Sequence, residues 1–147
     1  MKTIARILLS ALGAILFTAC TSTATPDAPI SNGNNPYAVQ PDDTAMMRGD
    51  VRIDSASLAL AESNPVQVML NFAYFPPTPC FSLRVETSQP NAQKRINVSA
   101  YAVAERDKAC TLMALATPLQ ANLNLGTFPK GHYSLWLNEA KVGEFDS

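Results

Sequence analysis

The sequence predicts an all-β domain: an antiparallel sandwich of about seven strands over residues 51–147, behind an amino-terminal stretch of different character. Three observations carry that prediction. Apolar and polar residues alternate with period two in several runs, as they do in a strand with one buried face. Proline- and glycine-bearing breakers separate the runs, because proline has no amide proton to give a central ladder. Seven such runs fit into about 97 residues, the size of one sandwich domain.

The strands are read in order. Residues 51–60 open the domain. Val66, Val68, Leu70, Phe72 and Tyr74 then alternate with Gln67, Met69, Asn71 and Ala73 over 66–74. Phe81, Leu83 and Val85 mark 81–88, and Ile96, Val98 and Ala100 mark 95–103. Leu119, Ala121, Leu123 and Leu125 mark 118–125, and Tyr133, Leu135 and Leu137 mark 132–138. A last strand, 141–146, follows a hairpin turn at Asn138-Glu139-Ala140. The breakers are Ser63-Asn64-Pro65, Pro76-Pro77-Thr78-Pro79, Gln89-Pro90-Asn91 and Pro129-Lys130-Gly131. Ala109 to Thr117 does not alternate cleanly and is read as a short helix or a loop. Seven short strands at this spacing suit a sandwich or barrel.

The size and strand count resemble the immunoglobulin-like sandwich. Tyr133 is placed to serve as a tyrosine corner, although the Cys-Trp-Cys spacing of antibody domains is missing. The stretch Gly126-Thr127-Phe128-Pro129-Lys130-Gly131-His132-Tyr133 is similar to the ending of some small bacterial lipoproteins, a likeness that brings no activity with it.

Ahead of the domain, Lys2 and Arg6 precede an uncharged apolar run, Ile7 to Phe17. Eleven residues make a helix of roughly 16 Å at about 1.5 Å per residue, against a hydrocarbon core of about 30 Å. The run is therefore read as the core of a signal peptide, residues 1–19. Phe17-Thr18-Ala19-Cys20 resembles the bacterial lipobox, with Phe17 in place of the usual leucine. The resemblance implies a diacylglyceryl group on the Cys20 sulfur and cleavage after Ala19. An ordinary secretory signal cut near Ala19 or after Ala24 is the alternative. Thr21, where an aspartate would retain a lipoprotein in the inner membrane, implies the outer membrane if the cell has two. The expected location is thus the cell envelope, membrane-anchored, facing periplasm or exterior. Residues 20–50 are rich in Ser, Thr, Pro, Asn and Asp and are read as the lipidated cysteine and a flexible linker. Thirty such residues form a coil of roughly 30 Å end to end.

The chain carries 11 basic and 12 acidic residues, a net charge of −1. No basic patch or arginine run points to nucleic acid. With Cys20 lipidated, Cys80 and Cys110 remain, and an even remainder in an exported protein reads as a disulfide. No cofactor is expected and no metal site is read. The single histidine, His132, lacks partners, and Asp42, Asp43 and Asp50 lack the spacing of a calcium loop.

Pro76 and Pro77 lie in a stiff, extended connection that would carry the chain between sheets, or would offer a rigid loop to a partner. Trp136, with His132, Ser134 and Tyr101, is read on an outward strand face, either as an exposed interface anchor or as a side chain packed beneath a loop. Pro76, Pro77 and Trp136 are the candidate binding surface. Arg48-Gly49-Asp50 spells an adhesion-type tripeptide at the start of the domain, a pattern that also arises by chance. Asn97-Val98-Ser99 fits a glycosylation pattern but falls in a strand.

The function expected from these residues is a membrane-anchored envelope lipoprotein acting as a non-enzymatic binding or structural module. Its partner would be an envelope protein or a glycan. One alternative is a protease-inhibitor-like domain presenting the Pro76–Cys80 loop. Another is an enzyme whose carboxylates, drawn from Glu86, Glu105, Asp107 and Glu144, converge only in three dimensions.

Overall fold

The computed structural model describes residues 35–63, 66–110 and 115–147. Residues 1–34, which hold the expected signal peptide, Cys20 and the first part of the expected linker, lie outside the described residues. The fold is an all-β, immunoglobulin-like sandwich of eight strands among the described residues: β1 (Met47–Asp50), β2 (Arg52–Ala61), β3 (Gln67–Phe75), β4 (Ser82–Thr87), β5 (Arg95–Ala104), β6 (Leu119–Thr127), β7 (His132–Leu137) and β8 (Ala140–Asp146). Residues 109–110 and 115–117 are neither helix nor strand, and 111–114 lie outside the described residues.

Period-two alternation becomes two facing layers. Strands β2-β3-β6 form a three-stranded sheet, and β1, β4, β5, β7 and β8 form a five-stranded one. The inward residues of both make one core, in which Val68, Leu70, Phe72, Val85, Ile96, Val98, Leu123, Tyr133, Leu135 and Leu137 are almost fully enclosed. Tyr133 donates its hydroxyl to the Pro129 carbonyl at 2.8 Å, which is the expected tyrosine corner. Its ring stacks on Phe145 at 5.3 Å and tilts against Phe128.

Two features depart from a purely antiparallel, seven-stranded reading. First, β5 and β7 pair in parallel, Ile96 beside Leu135 and Val98 beside Leu137. Alternation specifies which face is buried but not the direction of the neighbour, so this pairing was not readable from pattern. Second, residues 35–50 are folded, and the domain boundary moves upstream from 51. The Tyr37 carbonyl accepts from the Val85 amide at 2.8 Å, and the Asn35 side chain donates to the Val85 carbonyl at 3.0 Å. These two bonds cover the free edge of β4, a site otherwise open to stray pairing. A 3-10 turn, Pro41–Ala45, then leads into β1, which pairs antiparallel with Tyr101–Ala104 of β5. Arg106 reaches back to the Ala45 carbonyl at 2.9 Å.

On the edge of β5 away from β4, β1 and β7 lie end to end, and Asn138 spans the gap between them. Its main-chain N–H donates to the Val98 carbonyl at 2.9 Å. Its side chain then imitates a peptide: Oδ1 accepts from the Ala100 amide at 2.8 Å and Nδ2 donates to the Ala100 carbonyl at 2.8 Å. Asn138 and Glu139 both have positive φ, 45° and 68°, the signature of a type I′ hairpin turn.

Cys80 and Cys110 form the expected disulfide, joining the β3–β4 and β5–β6 connections across a sequence separation of 30.

Candidate functional site

The sandwich presents two outer faces of opposite character. On the five-stranded sheet most of the polar side chains are engaged with one another, Asp50, Ser82 and Ser99 excepted. Arg84 holds Asp43 through two bonds of 2.6 and 2.9 Å, with the side chains only 14% and 5% exposed. The bond from Arg84 keeps the Asp43 carboxyl below its ordinary 3.8. Tyr101 donates to Glu86 at 2.6 Å while the Arg48 guanidinium lies 3.5 Å over its ring. Burial, and then Glu86, push that phenol up to about 12. Arg95 stacks on Trp136 at 3.9 Å and donates to Asn97 at 2.7 Å, and the indole N–H donates to Ser134 at 3.2 Å. His132 sits 2.9 Å from Asp146, whose hydrogen bond raises the imidazole above its ordinary 6.5. Lys141 pairs with Glu144 at 2.6 Å and, first among the causes, lowers that carboxyl.

The residues singled out from sequence do not converge. Trp136 is half-buried beneath Arg95 rather than free, and Tyr101 is buried. Pro76 is buried, while Pro77 is exposed and faces Gly49. Gly49 aligns with Ala102 and Trp136 with Asn97, so the proline loop and the tryptophan occupy different stretches of β5. Arg48-Gly49-Asp50 is not a loop tip but a paired strand, with Arg48 stacked on Tyr101. Asp43, expected within the flexible linker, instead pins residues 35–50 to the sheet as an amino-terminal strap. Of the carboxylates weighed for catalysis, Glu86 accepts from Tyr101, Glu105 pairs with Lys108 at 3.5 Å, and Glu144 is held by Lys141. Cys20 lies outside the described residues.

The outer face of the three-stranded sheet is of the other kind. Cross-strand register lines up Ser55 with Ala73 and Gln120, Ser57 with Asn71 and Asn122, and Ala59 with Met69 and Asn124. Ala61, Gln67 and Thr127 continue the same face. No charged side chain stands among these positions. The side chains of Ser55, Ser57, Gln67, Asn71, Gln120 and Asn122 make no intramolecular hydrogen bond among the described residues. Phe75 closes one end, with the Arg52 guanidinium 4.1 Å from its ring centre. The arrangement is a patch of neutral donors and acceptors, set on one face of the sheet. Amides offer both roles and hydroxyls do the same, so such a patch can hydrogen-bond a neutral polar partner without paired charge.

This face was missed in the sequence, although a signal for it was there. Ser63–Leu83 and Ala109–Pro129, which contain β3 and β6, hold no charged residue, and neither does Ser55–Ala61 of β2. Only the register joins the three stretches into one surface.

A cleft of about 780 Å³ lies at one end of the sandwich, lined by Pro90, Lys94, Phe128 and Tyr133 among others. The Lys94 ammonium there lies 3.4 Å from the Tyr133 hydroxyl. Among the described residues, no group of three or more His, Cys, Asp or Glu is placed to hold a metal ion. Comparison with protein-family models, curated proteins and solved structures yields no match.

Proposed function

We propose that this chain is an envelope lipoprotein that acts as a non-enzymatic binding module, anchored through Cys20 and binding its partner on the uncharged face of β2, β3 and β6. The observation that carries the reading is the contrast between the two outer faces. One spends most of its polar groups on internal ion pairs, hydrogen bonds and stacks. The other leaves a contiguous set of neutral polar groups without intramolecular partners. Exposed groups of that kind are hydrated in the free protein and are available for exchange with a ligand. The lipobox resemblance at Phe17–Cys20 supports the anchor, and two or three acyl chains hold where one binds only reversibly.

Two measurements test the proposal in the native envelope. Mass spectrometry of the mature amino terminus should find a lipid-bearing Cys20, and Cys20→Ala should release the protein from the membrane fraction. A photo-cross-linker attached through Asn122→Cys should trap one reproducible partner, while the same probe at Ser99→Cys on the opposite sheet should not. An unmodified amino terminus defeats the anchor. Equal labelling from both faces defeats the assignment of the binding surface.

A further inference from the structure

We infer that the ligand of the β2-β3-β6 face is a neutral glycan strand, lying flat against the amide and hydroxyl side chains. The inference rests on the binding reading above and names the chemistry of its partner.

Charge excludes the main competitors. A phosphate- or sulfate-bearing polymer is held by Lys and Arg, and this face has none between Arg52 at one end and Lys130 beyond the other. An anionic membrane surface asks for the same cations together with a large apolar patch, and here only Met69 and small alanines interrupt the polar groups. A second copy of the chain is disfavoured by size. Three strands about 4.8 Å apart and about nine residues long at about 3.4 Å each span roughly 400 Å². A stable protein interface needs about 800 Å² from each partner.

A sugar polymer fits what remains. Each hydroxyl both donates and accepts, as do Ser55, Ser57, Asn71, Gln120 and Asn122. Side chains two apart on one strand repeat about every 6.8 Å, so the rows form a regular ladder of contacts suited to a repeating ligand.

The test is retention of the full chain, in detergent micelles, on a panel of neutral polysaccharides that includes insoluble chitin and cellulose, with heparin beads alongside. Retention on a neutral polymer, equal at low and at molar salt, is expected. Gln120→Ala combined with Asn122→Ala should weaken it roughly tenfold, as loss of two uncharged hydrogen-bonding groups does. Ser57→Glu should abolish it as a second, independent variant, and Trp136→Ala should leave it unchanged. Thermal melts matching the parent show that the variants are folded. Failure on every neutral polymer, salt-sensitive binding to heparin alone, or retention indifferent to both face variants overturns the inference. A protein cross-linked at Asn122→Cys with no glycan retained overturns the ligand class and leaves the binding reading standing. Neither cross-link nor glycan overturns both.

Discussion

Asn138 offers the sharpest test of how the five-stranded sheet is held, because one side chain closes the gap between β1 and β7. Ala100 is 5% exposed, and the Asn138 amide takes up both its N–H and its C=O. Asn138→Gly keeps the left-handed backbone at φ 45° comfortable and removes only the two bonds. A buried polar group left unpaired costs about 1–3 kcal/mol, so the pair costs about 2–4 kcal/mol after water reaches part of the gap. For a domain near this size, about 4 °C of melting temperature accompanies each kcal/mol, so a fall of about 8–16 °C is expected. Asn138→Ala should be lower still, by about 1 kcal/mol, because a Cβ strains the left-handed conformation that glycine tolerates. Asn138→Asp is the most informative change. Its carboxylate still accepts from the Ala100 N–H but points a second charged oxygen at the Ala100 carbonyl, and only the protonated acid can donate there. Its folded pKa is therefore raised above the unfolded value of about 3.9. The restored bond is fully present below that unfolded value and is lost as pH rises through the folded one. Thermal melts against the parent at matched pH should show a gap that narrows on acidification. A gap that widens, or an Asn138→Gly protein that melts with the parent, refutes the bridging role.

Three further outcomes are expected. Asp43→Ala, which strips Arg84 of its enclosed partner, should cost about 3 kcal/mol by urea unfolding, the lower end of what breaking a buried pair costs. In the parent, the Asp43 contribution is present above its ordinary 3.8 and is lost as pH falls through its depressed folded value, so the gap between parent and variant should begin to narrow below about pH 4 and go on narrowing on further acidification. Replacing Cys80 and Cys110 by serine opens a loop of 30 residues and should lower stability by about 3.5 kcal/mol, read from denaturant midpoints under non-reducing conditions. His132 should titrate above 6.5 by proton NMR and return toward that value in Asp146→Asn; what it adds to stability is present below 6.5 and lost as pH rises through its folded pKa.

The strands were legible wherever one face is buried, because alternation is a local property. Those expected at 66–74, 95–103 and 132–138 are found at 67–75, 95–104 and 132–137. The disulfide was legible from counting, and Tyr133 from its place just inside a strand. Residues 35–50 were not. Their Asn, Pro and Asp residues have the composition of a linker, and what fixes them is Arg84, Tyr101 and Arg106, far along the chain. The uncharged face was hidden for a related reason. Each strand shows its own outward residues, but a surface exists only once β2, β3 and β6 are placed side by side. Trp136 was left between an exposed anchor and a packed side chain because what settles it is Arg95, far away in sequence but two positions along β5 from Asn97, the neighbour of Trp136, and lying over its ring.

The strap also bears on how the proposed module would be presented. It enters the domain at Asn35 and Tyr37 on the edge of β4, is pinned to Arg84 on the outer face of the five-stranded sheet, and joins that sheet as β1. A chain anchored at Cys20 would therefore attach on the five-stranded side, where most of the polar groups are already paired. The β2-β3-β6 face lies on the other side of the core, clear of the strap. Breaking the Asp43–Arg84 pair should then loosen how the domain is held relative to its anchor while leaving the amides and hydroxyls of the far face in place. The strap variant is accordingly expected to lose stability without losing retention on a neutral polymer, whereas the Gln120→Ala, Asn122→Ala protein should lose retention without losing stability. If the two variants lost both properties together, the separation of anchoring and binding onto opposite faces would be wrong.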